Sequence, residues 1–387
     1  MYGTRFFNKL TYEIRSIDNG DELIIKADEA PQALLMPAIH YDTENGAGLI
    51  LSYLHRNLLM LNSRLALEVD LAENSRIFLN YLKYLGREQQ FAAIIGADFI
   101  LSDYPSGFGI VSNRASTVYR SSYLNPYVRI QTTSFQNWMV GVSAGLVTAS
   151  LKPVVTTREE IADSIIVDLD NVKRFPYNSY RLGVYAQLNT LNQQVFPSSG
   201  WLVDFNFERI TGVNIRPKFF NSPSLGGEIL DLAFSLFENT SRASLEVQNY
   251  YLLTNRWNLQ TELFATYTRN ELLTPYDNFQ VGGFYPLLPR SISFWGSNTY
   301  EFSVKESLIV RERAGFQLVK NLYAEAVVNA LFYEDNSLAE TEDSIDTIFG
   351  YGIGIKYRSI LGPVQLALSH QANSNIWHGF LRIGFNI

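Results

Sequence analysis

Apolar and polar residues alternate along most of this chain. Leu65, Leu67, Val69 and Leu71 interleave with Arg64, Glu68 and Asp70, and Tyr180, Leu182, Val184, Ala186 and Leu188 interleave with Arg181, Gly183, Tyr185, Gln187 and Asn189. Trp257, Leu259, Leu263, Ala265 and Tyr267 do the same against Asn258, Gln260, Glu262 and Thr268. A period of two sends successive side chains to opposite faces of a strand. The pattern predicts about sixteen strands, near 36–42, 47–55, 64–71, 75–84, 91–102, 117–132, 138–150, 179–189, 200–209, 241–251, 256–267, 300–314, 320–333, 349–359, 363–371 and 379–387. In a soluble sandwich the apolar face would be a core; in a barrel set in lipid it would face acyl chains.

The connections separate these two readings. Odd-numbered strands end in long segments such as 151–178, 210–240, 268–299 and 334–348, whereas even-numbered strands end in short ones such as Asn57–Asn62, Gly86–Gln89, Leu252–Asn255 and Ile360–Gly362. Tight turns on one rim and long loops on the other is the layout of an outer-membrane barrel. The expected fold is therefore all-β: a 16-stranded antiparallel transmembrane barrel over 35–387, whose lumen would be wide enough for water unless plugged. Residues 1–34 read as a short periplasmic hairpin, since Phe7–Ile17 and Asp21–Ala30 flank Asp18-Asn19-Gly20, a preferred two-residue turn. Thr157-x-x-Glu160 fits a helical capping box in the 151–178 loop, with a polar loop of chance spacing as the alternative.

Composition sharpens the membrane reading. Aromatics make up 14%, with 23 Tyr and 25 Phe, enough for two interfacial girdles. No run of 18 apolar residues exists, since Phe91–Leu101 is broken by Asp98, so a spanning helix is excluded. Cysteine is absent and the net charge is −7, which argues against thiolate metal sites and nucleic acid. Residues 1–30 carry no basic segment followed by an apolar one, so no signal peptide is expected there.

Candidate chemistry is sparse. Gly141-Val142-Ser143-Ala144-Gly145 has the Gly-x-Ser-x-Gly spacing of a nucleophile elbow, but a β-branched strand pattern follows it where an elbow needs a helix. Ser143 thus reads as a lumen-facing serine. The histidines, His40, His55, His370 and His378, lack ligand spacing, and Ser369 and His370 are strand neighbours on opposite faces. Glu334, Asp335, Glu340, Glu342, Asp343 and Asp346 crowd one loop, read as a solvated face, with calcium or lipopolysaccharide cations as the alternative. No catalytic residue, metal or cofactor is expected.

Several motifs taken together resemble the bacterial surface antigen superfamily of BamA-type barrels, most closely its patatin-like members. His40-Tyr41-Asp42-x-x-x-Gly46-Ala47-Gly48 resembles the family's first hairpin, and Phe196-Pro197-Ser198-Ser199-Gly200 the turn before strand nine. Gly282-Gly283 sits where the sixth extracellular loop begins, and Gly352-Ile353-Gly354 opens a segment similar to the penultimate hairpin. Leu381, Ile383, Phe385 and Ile387 resemble the terminal apolar ladder of such barrels, and Arg5-Phe6-Phe7-x-x-Leu10-x-Tyr12 the closing hairpin of a periplasmic POTRA module.

The resemblance implies an outer-membrane translocation, insertion or anchoring unit with a polar lumen gated by the sixth loop. It implies a weak seam between the first and last strands at Tyr41 and Phe380–Ile387. Partners would be outer-membrane lipids, lipopolysaccharide, protein cargo or accessory lipoproteins. Members that move protein carry an Arg-Gly-aromatic motif in the sixth loop; here Arg290 is not followed by Gly, and Phe294-Trp295-Gly296 is closer to the patatin-like pattern. An Arg290–Glu325 lumen lock is one expectation, a solvated Arg290 the other. The alternatives are the membrane part of a patatin-like phospholipase whose catalytic domain lies outside this chain, and a passive porin.

Overall fold

In the computed structural model sixteen long strands close into one antiparallel barrel. The structure describes residues 7–17, 20–29, 31–105, 118–133, 137–155, 159–162, 165–167, 172–193, 197–222, 239–269, 276–285, 290–335 and 345–385. In chain order the barrel strands are β1 Ala33–Asp42, β2 Gly46–Arg56, β3 Ser63–Ala72, β4 Ser75–Leu85, β5 Phe91–Pro105 and β6 Val118–Thr132. They continue as β7 Trp138–Val155, β8 Val172–Asn189, β9 Gly200–Ile215, β10 Thr240–Leu252 and β11 Trp257–Thr268. The last five are β12 Phe302–Val319, β13 Leu322–Asp335, β14 Ile345–Ser359, β15 Gly362–Gln371 and β16 Trp377–Gly384.

Alternation decides which face meets lipid. On β14, Phe349, Tyr351, Ile353, Ile355 and Tyr357 are exposed, while Ile348, Gly350 and Gly352 between them are buried on the inner side. Three strands carry an exposed tryptophan at their turn-rim end, Trp138 on β7, Trp201 on β9 and Trp257 on β11. Tyr180, Tyr267 and Trp377 are exposed toward the loop rim. These are the two girdles expected of aromatic rings at lipid–water boundaries.

The wall is uneven in height. β7 and β8 are 18 residues each, beyond the 9–11 that span hydrocarbon, so this side rises above the membrane. The extension keeps a dry interior in which Tyr119, Val147, Leu151, Val172, Phe175 and Tyr177 pack with Tyr276 and Tyr300 of the loop between β11 and β12. The inner loop thus packs against the wall on this side of the barrel.

The barrel closes poorly. The β7–β8 ladder runs from Trp138 opposite Leu188 to Leu151 opposite Phe175. Between β16 and β1 only Arg382–Asp42, Ile383–Tyr41 and Gly384–His40 pair. Thr43 N–H adds one bond to the Leu381 carbonyl at 3.1 Å. Below that point Ala33–Ile39 of β1 have β2 on one side and, among the described residues, no strand on the other.

Some sequence expectations need correction. The terminal apolar ladder stops at Gly384, whose φ of +94° turns the chain; Phe385 lies outside the strand, and Ile387 falls outside the described residues. The place of a helical turn after Thr157 is taken by a small antiparallel hairpin, Glu159–Ala162 with Ile165–Val167. The N-terminal hairpin forms, Phe7–Ile17 pairing with Gly20–Glu29, and carries exposed Tyr12, Ile14, Leu23 and Ile25 on one face. The carboxylates Glu340, Glu342 and Asp343 lie outside the described residues.

A charge at the middle of the outer face tests the assignment of faces. Ile353→Arg is expected to destabilise the barrel by about 2–4 kcal/mol, measured by urea titration of folding into lipid vesicles. The inward Lys356→Arg change should leave the midpoint nearly unaltered.

Candidate functional site: the loop inside the barrel

The loop between β11 and β12 turns inward. Tyr276 through Phe284 are all buried, and Phe294 to Ser297 are buried with them. Irregular backbone inside a membrane barrel must find partners for its own N–H and C=O groups. Part of it does so by imitating strand: Phe279–Val281 pair with Phe302–Val304 of β12, and Gln280 and Val281 pair in parallel with Ser291 and Ile292. Gly282 N–H reaches the Ile292 carbonyl at 3.0 Å, and Phe294 N–H the Gly283 carbonyl at 2.9 Å. Gly282 and Gly283 hold φ of +141° and +74° in this return, conformations that disfavour any Cβ.

Side chains of the wall bind further groups of the loop. Asn329 of β13 brackets Trp295, accepting from its N–H at 3.0 Å and donating to its carbonyl at 3.1 Å. Arg311 of β12 donates to the carbonyl and hydroxyl of Ser293 and is itself paired with Glu262 of β11. Tyr177 donates to Asp277 at 2.7 Å, and the Arg181 guanidinium lies 3.6 Å from the same carboxylate.

Glycines of β14 make room. A Cβ at Gly350 would collide with the Trp295 carbonyl, and one at Gly352 would come within 2.8 Å of the Trp295 ring. At Gly296, with φ of +109°, a Cβ would sit 2.7 Å from the His370 carbonyl. The Phe294-Trp295-Gly296 motif is therefore the point at which the loop lies against the wall.

The loop tip also spans the seam. Glu44, in the turn between β1 and β2, accepts from the N–H of Phe284 at 2.7 Å and of Tyr285 at 2.9 Å, and Asn45 donates to the Tyr285 carbonyl at 3.2 Å. On the other strand, Phe380 stacks on Phe284 with centroids 4.6 Å apart, and the Arg382 guanidinium lies 4.2 Å over the Tyr285 ring. Two adjacent loop residues thus bridge the β1–β2 turn and β16 beside the short ladder of the seam. Burial pushes the Glu44 carboxyl above its ordinary range, and the two amide bonds pull it back part of the way.

The first-hairpin motif has a structural explanation. Asp42 Oδ1 accepts from the N–H of Glu44 and Asn45, and Gly46 follows with φ of +78°. Opposite it, a Cβ on Gly48 would collide with the His40 ring. His40 is buried against Asp70 at 2.8 Å, and Arg76 closes on the other Asp70 oxygen at 2.9 Å, a cluster the sequence pattern did not single out. In the turn before β9, Gly200 has φ of +111° and lies against the Thr190 carbonyl, and Asn192 accepts from the N–H of Ser198. Pro197 belongs to this turn; Phe196 lies outside the described residues.

Arg290 and Glu325 are not brought together. The Arg290 guanidinium donates to the Tyr276 carbonyl and lies 3.3 Å from the Tyr123 hydroxyl, near the loop rim. Glu325 bonds Lys356 and Gln365, both at 2.8 Å, and faces Arg313 at 3.6 Å. It borders a cavity of about 550 Å³ that opens between the β10–β11 and β14–β15 turns and includes Tyr250, Arg313, Lys356 and Arg382 in its lining. Gly141–Gly145 lies inside continuous β7, with Ser143 facing inward beside Gly183.

The molecule is thus a closed sixteen-stranded barrel with its sixth loop folded inside. A family model described as the OMP85 superfamily matches residues 21–387. The chain belongs to the OMP85 superfamily. Its fold is similar to BamA from Haemophilus ducreyi lacking POTRA domains 1–3, with a TM-score of 0.67 at 12% identity over 98% of this chain and 75% of that one. It is also similar to CdiB from Acinetobacter baumannii and from Escherichia coli, with TM-scores of 0.61 and 0.58, each at 12% identity over 98% of this chain. The chain spans 66% and 68% of those two proteins. A search of curated proteins gave no match. As an OMP85 barrel, the protein resides in the bacterial outer membrane.

Removing Asn329's two bonds should loosen the inner loop. Asn329→Leu leaves a buried N–H and C=O of Trp295 unpaired, a cost of about 1–3 kcal/mol for each group. Planar-bilayer recordings of this variant are expected to show more frequent and longer openings than the parent chain. Glu44→Ala should act in the same direction, and Glu44→Gln, which keeps one acceptor oxygen, less so.

Proposed function

We propose that this OMP85 barrel is a translocation or insertion unit of the outer membrane, with the sixth loop as its gate and the β1–β16 seam as a lateral door. The observation that carries this reading is the double attachment of Phe284 and Tyr285, to the β1–β2 turn on one side and to β16 on the other. A loop that leaves the lumen must release both edges of the seam together. Unpaired Ala33–Ile39 would then offer a strand edge to an incoming strand, the same chemistry by which sheets add strands elsewhere.

Protein cargo, an accessory lipoprotein at the exposed face of the N-terminal hairpin, and surrounding lipid are the partners that fit. The packing of Tyr276 and Tyr300 of the inner loop against the wall weighs against a passive porin. No chemistry is assigned to this chain, since Ser143 sits in mid-strand without an oxyanion site. Phe294-Trp295-Gly296 supports placement near patatin-like members, in which case a hydrolase domain would belong to a longer protein.

A seam lock tests the door. Tyr41 and Ile383 are direct cross-strand partners, and the chain has no cysteine of its own. Facing pairs of this kind lie within disulfide reach. Oxidised Tyr41→Cys/Ile383→Cys protein in liposomes should insert an unfolded test barrel no faster than protein-free liposomes, and reductant should restore the rate. Equal rates before and after reduction would remove the seam from the mechanism.

A further inference from the structure

The outer wall carries a lipid-facing depression that the gate and the seam do not use. Across β6–β9 two rows of outward residues lie side by side. One is Val128–Ala144–Leu182–Arg209 and the other Ile130–Val142–Val184–Phe207, each member directly opposite the next. Val128, Ile130, Val142, Leu182 and Val184 are all exposed and large, so Ala144 leaves a gap between them. The resulting concavity is about 470 Å³ and nearly all apolar, with Arg209 at its end.

Depth fixes what meets that arginine. Going up from Trp201 on β9, the outward residues are Val203, Phe205 and Phe207, and Arg209 is the first polar one. The same change occurs on β7, where Leu146 gives way to Thr148 and then Lys152, and on β8 from Leu182 to Tyr180 and Asn178. Eight residues of tilted strand from Trp201 rise roughly 20 Å, close to the full height of the apolar band. Arg209 therefore stands at the headgroup level of the outer leaflet. Its one hydrogen bond is to the Ser241 hydroxyl at 2.9 Å, and it makes no ion pair among the described residues. A guanidinium at that depth with free donors is matched by a phosphate bearing acyl chains.

We propose that this groove is a binding site for the phosphorylated lipid A part of lipopolysaccharide, one phosphate on Arg209 and Ser241 and one acyl chain laid over Ala144. The assignment rests on the outer-membrane location and not on the transport reading, so either can fail alone. Native mass spectrometry of the full chain in detergent, with bis-phosphorylated lipid A as the probe, should find one tightly held lipid. Arg209→Ala is expected to weaken it about tenfold or more, as loss of one charge-assisted contact would. Ala144→Leu, which fills the gap, should weaken it similarly, and lipid A stripped of phosphate should bind poorly to the parent chain. Heat-modifiable gel migration reports folding of each variant. If Arg209→Ala does not fold, the Ala144→Leu and phosphate-free measurements decide. Unchanged retention by the folded variants, equal retention of phosphate-free lipid, or equal retention of phosphatidylglycerol would each overturn the proposal.

Discussion

In hydrocarbon a backbone N–H or C=O without a partner costs several kcal/mol, and this single constraint shapes the chain from Ala33 to Gly384. It obliges the strands to close on themselves, and it makes the closing junction the sensitive one. Between neighbouring β7 and β8 the constraint is met along a full ladder; between β16 and β1 it is met at Asp42, Tyr41 and His40 and then lapses. Gly384 is what ends the pairing. Its backbone turns at φ +94°, and a Cβ there would strike the Ile39 carbonyl.

The same constraint governs the loop within. A loop placed in the lumen needs partners for its own backbone, and Asn329, Arg311 and Glu44 supply them from three parts of the wall. Glycines at 350 and 352 give up packing so that Trp295 can approach β14. Phe284 and Tyr285 touch the β1–β2 turn on one side and β16 on the other, so the inner loop and the seam are physically linked.

The strands and their outward faces were legible because lipid on one side enforces a strict period of two. Ends were less so. β8 begins seven residues before the alternation suggests, and β9 and β12 run on to Ile215 and Val319. Beyond the hydrocarbon on either rim both faces can be polar or apolar, so pairing continues where the pattern has faded; a bulge between Asn178 and Tyr180 adds to the blur. The candidate lock failed for another reason. Alternation correctly turns Glu325 inward, yet several basic groups share that lumen, and sequence spacing cannot tell that Lys356 and Arg313 on adjacent strands are nearer than Arg290. The Glu44 clamp depends on contacts some 240 positions apart, beyond any local signal.

The most direct test of the weak junction is hydrogen–deuterium exchange of the full chain in lipid nanodiscs, resolved by peptide. Amides of Ala33–Ile39 and Trp377–Gly384 should exchange far faster than those of Trp138–Leu151 and Phe175–Leu188, which sit in an unbroken ladder of the same wall. Uniform slow exchange around the whole circumference would mean that the first and last strands are as firmly joined as the others, and the account of a seam held by the sixth loop would not stand.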